Sequence, residues 1–319
     1  MNVLVIGGAG YIGSHVVKDL CDSGFNVTVF DNLSSGYESN VDSRAKLIVG
    51  DILDKESLNC AFSSNNFDLV FHFAALKDAG ESILKPDKYS EVNIVGSINL
   101  ITCMDKFGVR NIIFSSTAAV YGKPEYIPID ENHPINPEFY YGFTKFEIEN
   151  IIKWYSKLKN FNYVILRYFN AAGYGSISGK EKNPTNLFPI VMEVANGTRK
   201  NMKIFGSDYK TKDGTCVRDY IHVLDLSDAH IKAAKFLLNN KKSLVLNLSS
   251  EKGYSVLEIV KRTEELLGKK INYTVVDRRQ GDQELVIASS KLAFETLGWK
   301  AKYSDLDNII KSMWNVYKK

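Results

Sequence analysis

The sequence contains few cysteines, few prolines and no long apolar run. Its four cysteines stand far apart and form no CxxC pair, so the pattern predicts neither a zinc site nor a disulfide framework. No stretch of about 18 apolar residues occurs, which argues against a transmembrane helix. The N-terminus enters a glycine-rich turn without a basic region, so we expect no signal peptide. These absences together favour a cytoplasmic chain.

An excess of one sign of charge is also missing. The 319 residues include 40 basic and 37 acidic side chains, which leaves a net charge of +3. This balance predicts neither a nucleic-acid partner nor a membrane partner. The apolar fraction of 45% and the charged fraction of 24% are ordinary for a globular protein. The length favours one large α/β unit or two domains.

The first half of the chain alternates short apolar runs with longer helical patterns. Because the apolar runs are continuous, they are typical of strands that are covered on both faces. Strand–helix–strand repetition with right-handed crossovers predicts a Rossmann-type, doubly wound parallel sheet. The predicted strands are Val3–Ile6, Val27–Phe30, Leu47–Val49, Leu69–Phe73, Ile112–Phe114 and Val164–Leu166, and the predicted helices are Ile12–Leu20, Tyr89–Phe107 and Phe146–Leu158.

The pattern changes after Phe169. Residues 170–185 are rich in Gly, Ser, Asn and Lys, and predict a long surface loop. We interpret residues 1–170 as a dinucleotide-binding domain and residues 171–319 as a smaller α/β lobe that binds substrate at the carboxyl ends of the strands, with some interleaving of the two. The later predicted helices are 225–238, 255–267 and 305–317, and the later predicted strands are 244–247 and 271–276.

A glycine-rich turn follows the first predicted strand. Gly7, Gly10 and Gly13 have the spacing that lets a pyrophosphate approach the backbone and face a helix N-terminus. Asp31 ends the second predicted strand, where its carboxylate can accept hydrogen bonds from an adenosine ribose and would repel a 2′-phosphate. Asp51 and Ile52 follow the third strand, beside the expected adenine. The sequence therefore predicts NAD rather than NADP.

A tyrosine–lysine pair follows a strand that ends in hydroxyl residues. Thr117 ends the fifth predicted strand, and Tyr141 and Lys145 share a helix face because they are four residues apart. Lowering the pKa of a phenol from near 10 to about 7 takes roughly 4 kcal/mol. A cation about 4 Å away supplies that much at an effective dielectric of about 20. We predict that Tyr141 is a base activated by Lys145 and the positive nicotinamide, with Thr117 at the same substrate oxygen.

In this order, these motifs resemble the extended short-chain dehydrogenase/reductase family. Further motifs extend the resemblance to the nucleotide-sugar epimerases of that family, over essentially the whole chain. Those motifs lie at 73–82, Asn93, 167–170, 186–187, 204–209, 217–222 and 278–282.

The resemblance implies that the chain inverts C4 of a UDP-hexose with tightly held NAD. UDP-galactose and UDP-glucose would interconvert through a transient 4-keto sugar. The resemblance also implies a homodimer that pairs helices of the 89–107 and 146–158 regions. It assigns the three glycines of the turn, Asp31, Asp51, Ile52, Tyr141 and Lys145 to cofactor binding. The further residues that it assigns to the cofactor are Tyr11, Ile12, Asn32, Phe73, Ala74, Ala75, Lys77, Asn93, Ser115 and Tyr168.

The resemblance implies substrate contacts that lie mostly in the second half of the chain. Arg218 and Arg279 are expected to pair with the diphosphate, and Asp282 is expected at the uridine ribose. The chain has only eight arginines against thirty-two lysines, and a planar guanidinium fork suits phosphate. A surface ion pair is the competing interpretation of each arginine. The complete set is Lys77, Thr117, Tyr141, Asn170, Asn186, Leu187, Lys203, Phe205, Arg218, Arg279, Asp282 and Val286.

Three positions depart from the family pattern. Thr117 stands where serine is frequent, which keeps the hydroxyl and narrows its rotamers. Ala171 stands where proline often follows the asparagine. Val286 stands where a bulky tyrosine restricts some members to non-acetylated sugars. We therefore expect UDP-N-acetylhexosamines to be accepted as well.

Other functions remain as alternatives. A 4,6-dehydratase needs an Asp–Glu pair after the threonine, but Ala118 and Ala119 stand there, so dehydration lacks a general acid. A UDP-glucuronate epimerase or decarboxylase needs groups around a sugar carboxylate that the sequence does not identify. A net oxidoreductase that exchanges its cofactor, and a non-catalytic NAD-binding protein, also stay open.

Overall fold

Strands and helices alternate along the chain in the computed structural model, which describes residues 1–177, 179–182, 184–279 and 281–318. The strands are β1 (Asn2–Ile6), β2 (Asn26–Asp31), β3 (Lys46–Val49), β4 (Leu69–His72), β5 (Asn111–Thr117), β6 (Asn162–Tyr168), β7 (Asn170–Ala172), β8 (Met202–Phe205), β9 (Val217–His222), β10 (Leu244–Leu248), β11 (Gly253–Ser255), β12 (Tyr273–Val276) and β13 (Leu285–Val286). The helices are α1 (Tyr11–Asp22), α2 (Lys55–Ser63), α3 (Ala79–Leu84), α4 (Pro86–Tyr89), α5 (Gly96–Lys106), α6 (Tyr140–Lys159), α7 (Leu187–Ala195), α8 (Val223–Asn240), α9 (Val256–Leu267), α10 (Lys291–Leu297) and α11 (Leu306–Tyr317). A π-helical segment, Ser90–Val95, joins α4 to α5.

The main sheet is parallel and has seven strands among the described residues, in the order β3-β2-β1-β4-β5-β6-β10. The strand order reverses between β1 and β4, because the chain builds outward in one direction from β1 and in the other from β4. Ligands of open α/β sheets bind in the crevice at such a reversal, outside the carboxyl ends of the strands. The predicted doubly wound Rossmann-type fold is confirmed.

Both faces of the main sheet are covered, as continuous apolar strands require. Val5 points into a core with α1 and α8, and its neighbour Ile6 points into a second core with α2, α5 and α6. Successive side chains of a strand alternate between faces, so each strand contributes to both cores. This packing fixes the carboxyl ends of the strands, where the site residues follow.

The boundary predicted at residue 170 does not divide the chain cleanly. Strand β10 pairs in parallel with β6 (Leu244 opposite Val164) and completes the main sheet. Helix α8 packs beside α1 in the first core, and the fully buried Trp299 joins the same core. Without β10, β6 would be the edge strand of the main sheet, so residues that come long after residue 170 complete this sheet and help to cover its apolar faces.

The second lobe is built around strand β9. It pairs with β7 and β13 in parallel and with β11 in antiparallel orientation, while β8 and β12 form a separate parallel pair. Helices α7, α9 and α11 enclose a third core that includes Ile204, Ile259 and Ile310. The lobe lies at the carboxyl ends of the main sheet, since Asn170 of β7 comes two residues after β6 ends.

Most predicted elements are confirmed, with changes at their ends. The predicted helix Tyr89–Phe107 is an exception, because it is π-helical over Ser90–Val95 and α-helical only over Gly96–Lys106. The predicted helix Phe146–Leu158 begins earlier, at Tyr140, and the predicted loop at 170–185 opens with strand β7 instead. Asn170 to Ala172 become a strand because Tyr220 to His222 offer a neighbouring strand, which local sequence does not reveal. None of the described helices is long and apolar enough to span a bilayer.

Candidate active site

The glycine turn joins β1 to α1 at the sheet crevice. A Cβ on Gly13 would lie 2.3 Å from the Gly7 carbonyl oxygen, and a Cβ on Gly7, whose φ is +81°, would lie 2.7 Å from the Ala74 nitrogen. These two glycines are therefore required by the protein's own packing. A Cβ on Gly10 would meet only the Gly7 oxygen, at 3.4 Å. Gly10 thus leaves space at the N-terminus of α1, where an anion is favoured.

Asp31 fixes the backbone around this turn. Its Oδ2 accepts the N–H of Ala9 at 2.9 Å and its Oδ1 accepts the N–H of Leu33 at 2.8 Å. The side chain of Asn32 donates to Asp51 Oδ2 at 2.8 Å, which ties the end of β2 to the loop after β3. The predicted adenosine-binding residues therefore lie together at the carboxyl ends of neighbouring strands.

Asn93 lies one layer behind the crevice. Its Oδ1 accepts the N–H of Leu76 at 2.8 Å, and its Nδ2 donates to the Leu76 oxygen and to Thr144 Oγ1, both at 3.0 Å. The residue is fully buried. In this structure Asn93 holds the segment after β4 against the first turn of α6, so it positions Phe73, Ala74 and Ala75 rather than facing the crevice itself.

The residues of the crevice fit NAD. Gly10 leaves room for a pyrophosphate at a helix N-terminus, and Asp31 presents a buried carboxylate where a ribose would lie. Ala74 and Ala75 follow β4 and present only methyl groups. Among the described residues, no three His, Cys, Asp or Glu side chains gather in a way that could hold a metal ion.

The predicted catalytic residues converge from β5 and α6. Thr117 ends β5, and Tyr141 is the second residue of α6, with its N–H donated to Ser82 Oγ at 3.0 Å. Lys145, on the next turn, is buried and donates from Nζ to the Ser115 carbonyl oxygen at 2.8 Å. The hydroxyl groups of Ser115 and Tyr168 hydrogen-bond to each other beside this lysine.

Burial dominates the electrostatics of Tyr141 and Lys145 in the protein without cofactor. Burial raises the pKa of Tyr141 to about 12, against the lowering effect of a hydrogen bond with Thr117. Burial also lowers the pKa of Lys145 to about 7, and the Glu149 carboxylate opposes that shift. Lys145 donates to the Ser115 carbonyl oxygen here. The predicted activation of Tyr141 by Lys145 together with a bound nicotinamide stays a prediction.

Sequence reasoning missed a buried ion pair beneath Lys145. Glu149 accepts from Arg167 Nε at 2.9 Å and from Arg167 Nη2 at 2.6 Å, and Ser116 Oγ donates to it at 2.6 Å. Both charged side chains are almost fully buried. The signal was present, because Glu149 lies one helical turn after Lys145 on the same face.

One cavity of about 550 Å³ runs from the catalytic residues into the second lobe. Residues predicted for the cofactor and for the substrate meet along its wall. The predicted residues that line it are Tyr11, Ile12, Lys77, Thr117, Tyr141, Tyr168, Asn170, Asn186, Leu187, Lys203, Phe205, Arg218, Arg279 and Asp282. Further lining residues that we did not predict are Phe169, Ala171, Thr185, Phe188, Ile190, Arg199, Asn201, Met202, Cys216, Tyr220 and Val256.

The missed residues at β9 follow a simple pattern. Cys216, which immediately precedes this strand, and Tyr220 line the cavity together with Arg218, the one residue of the three that the sequence predicts. Residues two apart in a strand share a face. Once Arg218 is assigned to the cavity and its segment to a strand, the two neighbours on that face follow.

Charged and polar groups concentrate at the far end of the cavity. Asn186 precedes α7, so the N-terminus of this helix opens toward the cavity. The guanidinium of Arg279 lies 4.7 Å from the centre of the Phe205 ring. Arg279 and Arg218 both pair with Asp282. Two cations, a helix N-terminus and an aromatic ring suit a nucleoside diphosphate.

Lys77 has a partner in the segment after β7. Its ammonium pairs with the carboxylate of Glu181, and Lys182 donates from Nζ to the Leu33 oxygen at 2.7 Å. The segment from the second lobe therefore reaches the loop that follows Asp31. Lys77 lines the same cavity as the predicted substrate residues.

Val286 lies behind the cavity wall. It is half-buried in β13, opposite Arg218, and packs against a cluster that contains Phe169 and Tyr121. Phe169 lines the cavity. A tyrosine at position 286 would therefore have to displace this cluster or extend beside Phe169 toward the substrate.

The fold and the site define a class before any relative is considered. A glycine turn at the reversal point of a doubly wound sheet, with a Tyr–Lys pair whose tyrosine lines a cavity that extends into a second lobe, is the arrangement of an extended short-chain dehydrogenase/reductase. The chain belongs to the NAD-dependent epimerase/dehydratase family, whose model matches residues 3–249.

Individual relatives narrow the class. The chain is 46% identical to the UDP-glucose 4-epimerase of Lacticaseibacillus casei over 318 residues, which covers 99% of this chain and 96% of that protein. It superposes on the UDP-glucose 4-epimerase of Brucella ovis in complex with NAD with a TM-score of 0.96 at 40% identity, covering 99% and 98% of the two chains. The Bifidobacterium longum enzyme, solved with NAD+ and UDP, gives a TM-score of 0.93 at 37% identity with the same coverage.

Proposed function

We propose that this chain is an NAD-dependent UDP-hexose 4-epimerase that interconverts UDP-galactose and UDP-glucose. The observation that carries the proposal is one continuous cavity that is lined both by Thr117 and Tyr141 and by Arg218 and Arg279. A sugar joined to a diphosphate would span these two pairs of residues. The names of the relatives support the same activity.

Tyr141 is the acid–base residue of this proposal. It takes the proton of the sugar 4-hydroxyl and gives a proton back to the same oxygen when the hydride returns to the opposite face of C4, with the Thr117 hydroxyl hydrogen-bonded to that oxygen. When bound, NAD+ accepts the hydride of C4 and gives it back, so that no net oxidation occurs. Burial raises the pKa of Tyr141 in the protein alone, and the positive charge of a bound NAD+ would lower it.

The diphosphate end of the cavity keeps the 4-keto sugar from leaving. Arg218, Arg279 and the N-terminus of α7 would hold the diphosphate while the sugar turns over and presents its other face. The sugar end is lined by few charged groups, since Thr117, Tyr141 and Phe169 form its wall. Strong anchoring at one end and a loosely held sugar at the other are what inversion at C4 requires.

Two competing activities, dehydration and net oxidoreduction, can be distinguished from epimerisation. Ala118 and Ala119 form a 3-10 turn directly after Thr117, so a dehydratase's acid pair has no counterpart there. Cofactor content separates an epimerase from an ordinary dehydrogenase. An epimerase regenerates its cofactor in each cycle and can keep it bound, whereas a dehydrogenase must exchange it.

A second substrate pair is favoured by the residue at position 286. Val286 is smaller than tyrosine, so the wall near Phe169 leaves more room beside the sugar. We extend the proposal to UDP-N-acetylgalactosamine and UDP-N-acetylglucosamine on this ground.

A proton NMR time course tests both substrate pairs. Purified protein is mixed with UDP-galactose and UDP-N-acetylgalactosamine in one tube, without added NAD. Conversion of both to their gluco epimers is the expected result. Conversion of UDP-galactose alone would contradict the proposal for acetylated sugars, and no conversion even with added NAD would overturn the whole proposal.

A homodimer is proposed from the exposed apolar residues of two neighbouring helices. Val95 and Ile98 lie at the π-helix and α5, and Trp154 and Leu158 lie on α6, with 58% and 69% of the last two exposed. Trp154→Glu with Leu158→Glu should convert a dimer to a monomer in sedimentation analysis, and a monomeric parent chain would contradict this proposal. A cytoplasmic location stays a prediction, which cell fractionation would check.

A further inference from the structure

A short segment of the second lobe lies against the loop that follows β2. This segment, residues 179–182, comes between β7 and α7. Lys182 donates its backbone N–H to the Ser35 oxygen at 2.9 Å, and its Nζ donates to the Leu33 oxygen at 2.7 Å. Both acceptors come shortly after Asp31, the carboxylate predicted to bind the adenosine ribose. The segment therefore contacts the adenosine side of the cofactor crevice.

The same segment also contacts the opposite side of the crevice. Glu181, the neighbour of Lys182, forms an ion pair with Lys77, which follows β4. In the main sheet, β1 lies between β2 and β4. Two consecutive residues therefore hold loops on both sides of β1, so the segment passes across the carboxyl end of this strand. We call residues 179–182 the strap.

The strap also lies close to the glycine turn that follows β1. Asn40 Nδ2 donates to the Ala9 oxygen at 3.0 Å and to the Lys180 oxygen at 3.1 Å, so a single amide group joins the turn to the strap. Ala9 precedes Gly10, the position that leaves space for a pyrophosphate at the N-terminus of α1. A pyrophosphate in that space would therefore lie next to the strap.

One side of the strap faces solvent and the other faces the crevice. Lys180 and Lys182 are exposed, whereas the side chain of Glu181 between them is only 13% exposed. Lys180 is directed away from the crevice, since its Nζ lies 5.3 Å from the centre of the Tyr317 ring. On the inner side, Lys77 has three N–H donors, so it can keep its bond to Glu181 and still contact a ligand.

The start of the strap is fixed by α1, the helix that begins at the glycine turn. Tyr11 donates its hydroxyl to the Gly173 oxygen, and His15 Nε2 accepts the N–H of Gly175 at 3.0 Å. Gly179, the first residue of the strap, packs directly on the His15 ring, because a Cβ at this position would lie 2.5 Å from His15 Cε1. Tyr11 and His15 are buried, so this end stays attached while the exposed polar contacts at the other end can open.

We infer that residues 179–182 retain NAD by closing the cofactor crevice over the glycine turn. NAD enters or leaves when the contacts of Glu181 and Lys182 break and the strap opens. The inference goes beyond the proposed function, since it concerns how the cofactor is kept and not what happens to the sugar. It rests on one part of that function, the binding of NAD.

The double variant Glu181→Gln with Lys182→Met tests the strap without changing its net charge, because it removes one negative and one positive group. Release is measured on the holoenzyme, as exchange of bound NAD for an excess of a fluorescent ethenoadenine analogue of NAD. The variant should release NAD about tenfold faster than the parent chain, because two exposed polar contacts that hold the strap closed are gone. Lys180→Met is the matched control, since this ammonium group lies over the Tyr317 ring instead, and its release rate should stay within about twofold.

Glu181→Gln alone separates the strap from a simple effect of charge. A pyrophosphate is negatively charged, so removing the Glu181 charge should slow NAD release if this carboxylate acts only through electrostatics. The strap predicts the opposite result, a release about threefold faster, because the ion pair with Lys77 is weakened.

Uptake of NAD by the full-length chain freed of cofactor is the complementary measurement. A strap that closes the crevice slows entry as well as release. The double variant should therefore bind NAD faster and also release it faster, and its equilibrium affinity should change less than either rate.

Four results would overturn the inference. They are an unchanged or slower release in the double variant, a slower release in Glu181→Gln, an equal acceleration in Lys180→Met, and a faster release with unchanged uptake. The last result would mean that these side chains bind NAD directly and do not control its passage. A parent chain that retains NAD but does not convert UDP-galactose would instead overturn the proposed function alone, so the two failures are distinguishable.

Discussion

The cofactor end and the substrate end of the candidate active site are built from different parts of the chain. At the cofactor end, backbone forms the site: the turn at Gly7 to Gly13 presents N–H groups, and a carboxylate that accepts from the backbone fixes its shape. At the substrate end, charged side chains form the site, and Arg218, Arg279 and Asp282 are paired with one another. A ligand at the first end fits a fixed surface, whereas a ligand at the second end exchanges one ion pair for another.

This difference matches what each ligand has to do. A cofactor that stays bound through many cycles is served by a site that does not rearrange. A substrate must leave after each cycle. Its departure is easier when the charged side chains that bound it can pair with each other again, because no unpaired charge then remains in the site. The catalytic pair lies between the two ends, and its removal should leave both binding sites intact.

The largest expected effect follows from that separation. Tyr141→Phe should lower kcat by about 10³-fold, within the range of general acid–base catalysis, while NAD content and UDP affinity stay within about twofold. Tyr140→Phe is the matched control, because the neighbouring Tyr140 hydroxyl only bonds Ser90 at 2.6 Å. Kinetics together with measured NAD per chain checks the prediction. A loss of NAD in Tyr141→Phe would mean that the two roles are not separable.

Lys145 gives the next largest effect, on stability rather than on turnover. Burial lowers the pKa of Lys145 to about 7 from 10.5, so between these pH values the unfolded chain binds more protons and unfolding becomes harder as pH rises. Lys145→Met removes this dependence of stability on pH. Between pH 7 and 9.5, both without cofactor, the unfolding free energy of the parent chain should therefore rise by about 2–3 kcal/mol relative to that of the variant.

Urea unfolding at the two pH values measures that change. Lys153→Met, at a more exposed lysine of the same helix, is the matched control. A constant difference between Lys145→Met and the parent chain would show that Lys145 is charged in the folded protein throughout this range.

At the cofactor end, adding one methyl group should impair folding at Gly13 but NAD binding at Gly10. Gly13→Ala places a Cβ 2.3 Å from the Gly7 oxygen and should destabilise the fold. Gly10→Ala meets only one protein atom, at 3.4 Å, so the unfolding free energy should change by about 0.5 kcal/mol or less. The space it fills is where a pyrophosphate would lie, so NAD content should fall about tenfold. Full NAD content in Gly10→Ala would contradict this geometry.

The smallest expected effect concerns the sugar. Val286→Tyr should lower the rate with UDP-N-acetylgalactosamine relative to UDP-galactose by about fivefold, because the larger side chain moves the wall near Phe169 inward. Val286→Ala leaves the wall open and should keep the ratio of the parent chain. An unchanged ratio in Val286→Tyr would mean that position 286 does not set this specificity.

The same contrast explains how much the sequence could predict. Gly7, Gly10 and Gly13 are contiguous with a strand and a helix, so local pattern was enough to find the cofactor end. Tyr141 and Lys145 were found by helical spacing. The partner of Arg279 was not predictable. Asp282 and a ligand phosphate can both pair with this arginine, and the sequence alone does not show which of the two pairs is more stable. The pKa of Tyr141 depends on burial, which only the packed structure gives.

Strand β10 also sets the timing of folding during synthesis. Leu244 pairs with Val164, which leaves the ribosome 80 residues earlier. At 5–20 residues per second, β6 waits about 4–16 s for its outer neighbour, with an open edge that other nascent chains can pair with. A chain truncated before β10 keeps the glycine turn and the Tyr–Lys pair but lacks the last strand of its main sheet. A stop codon near residue 240 should therefore lower the yield of folded protein, although every predicted catalytic residue lies before it.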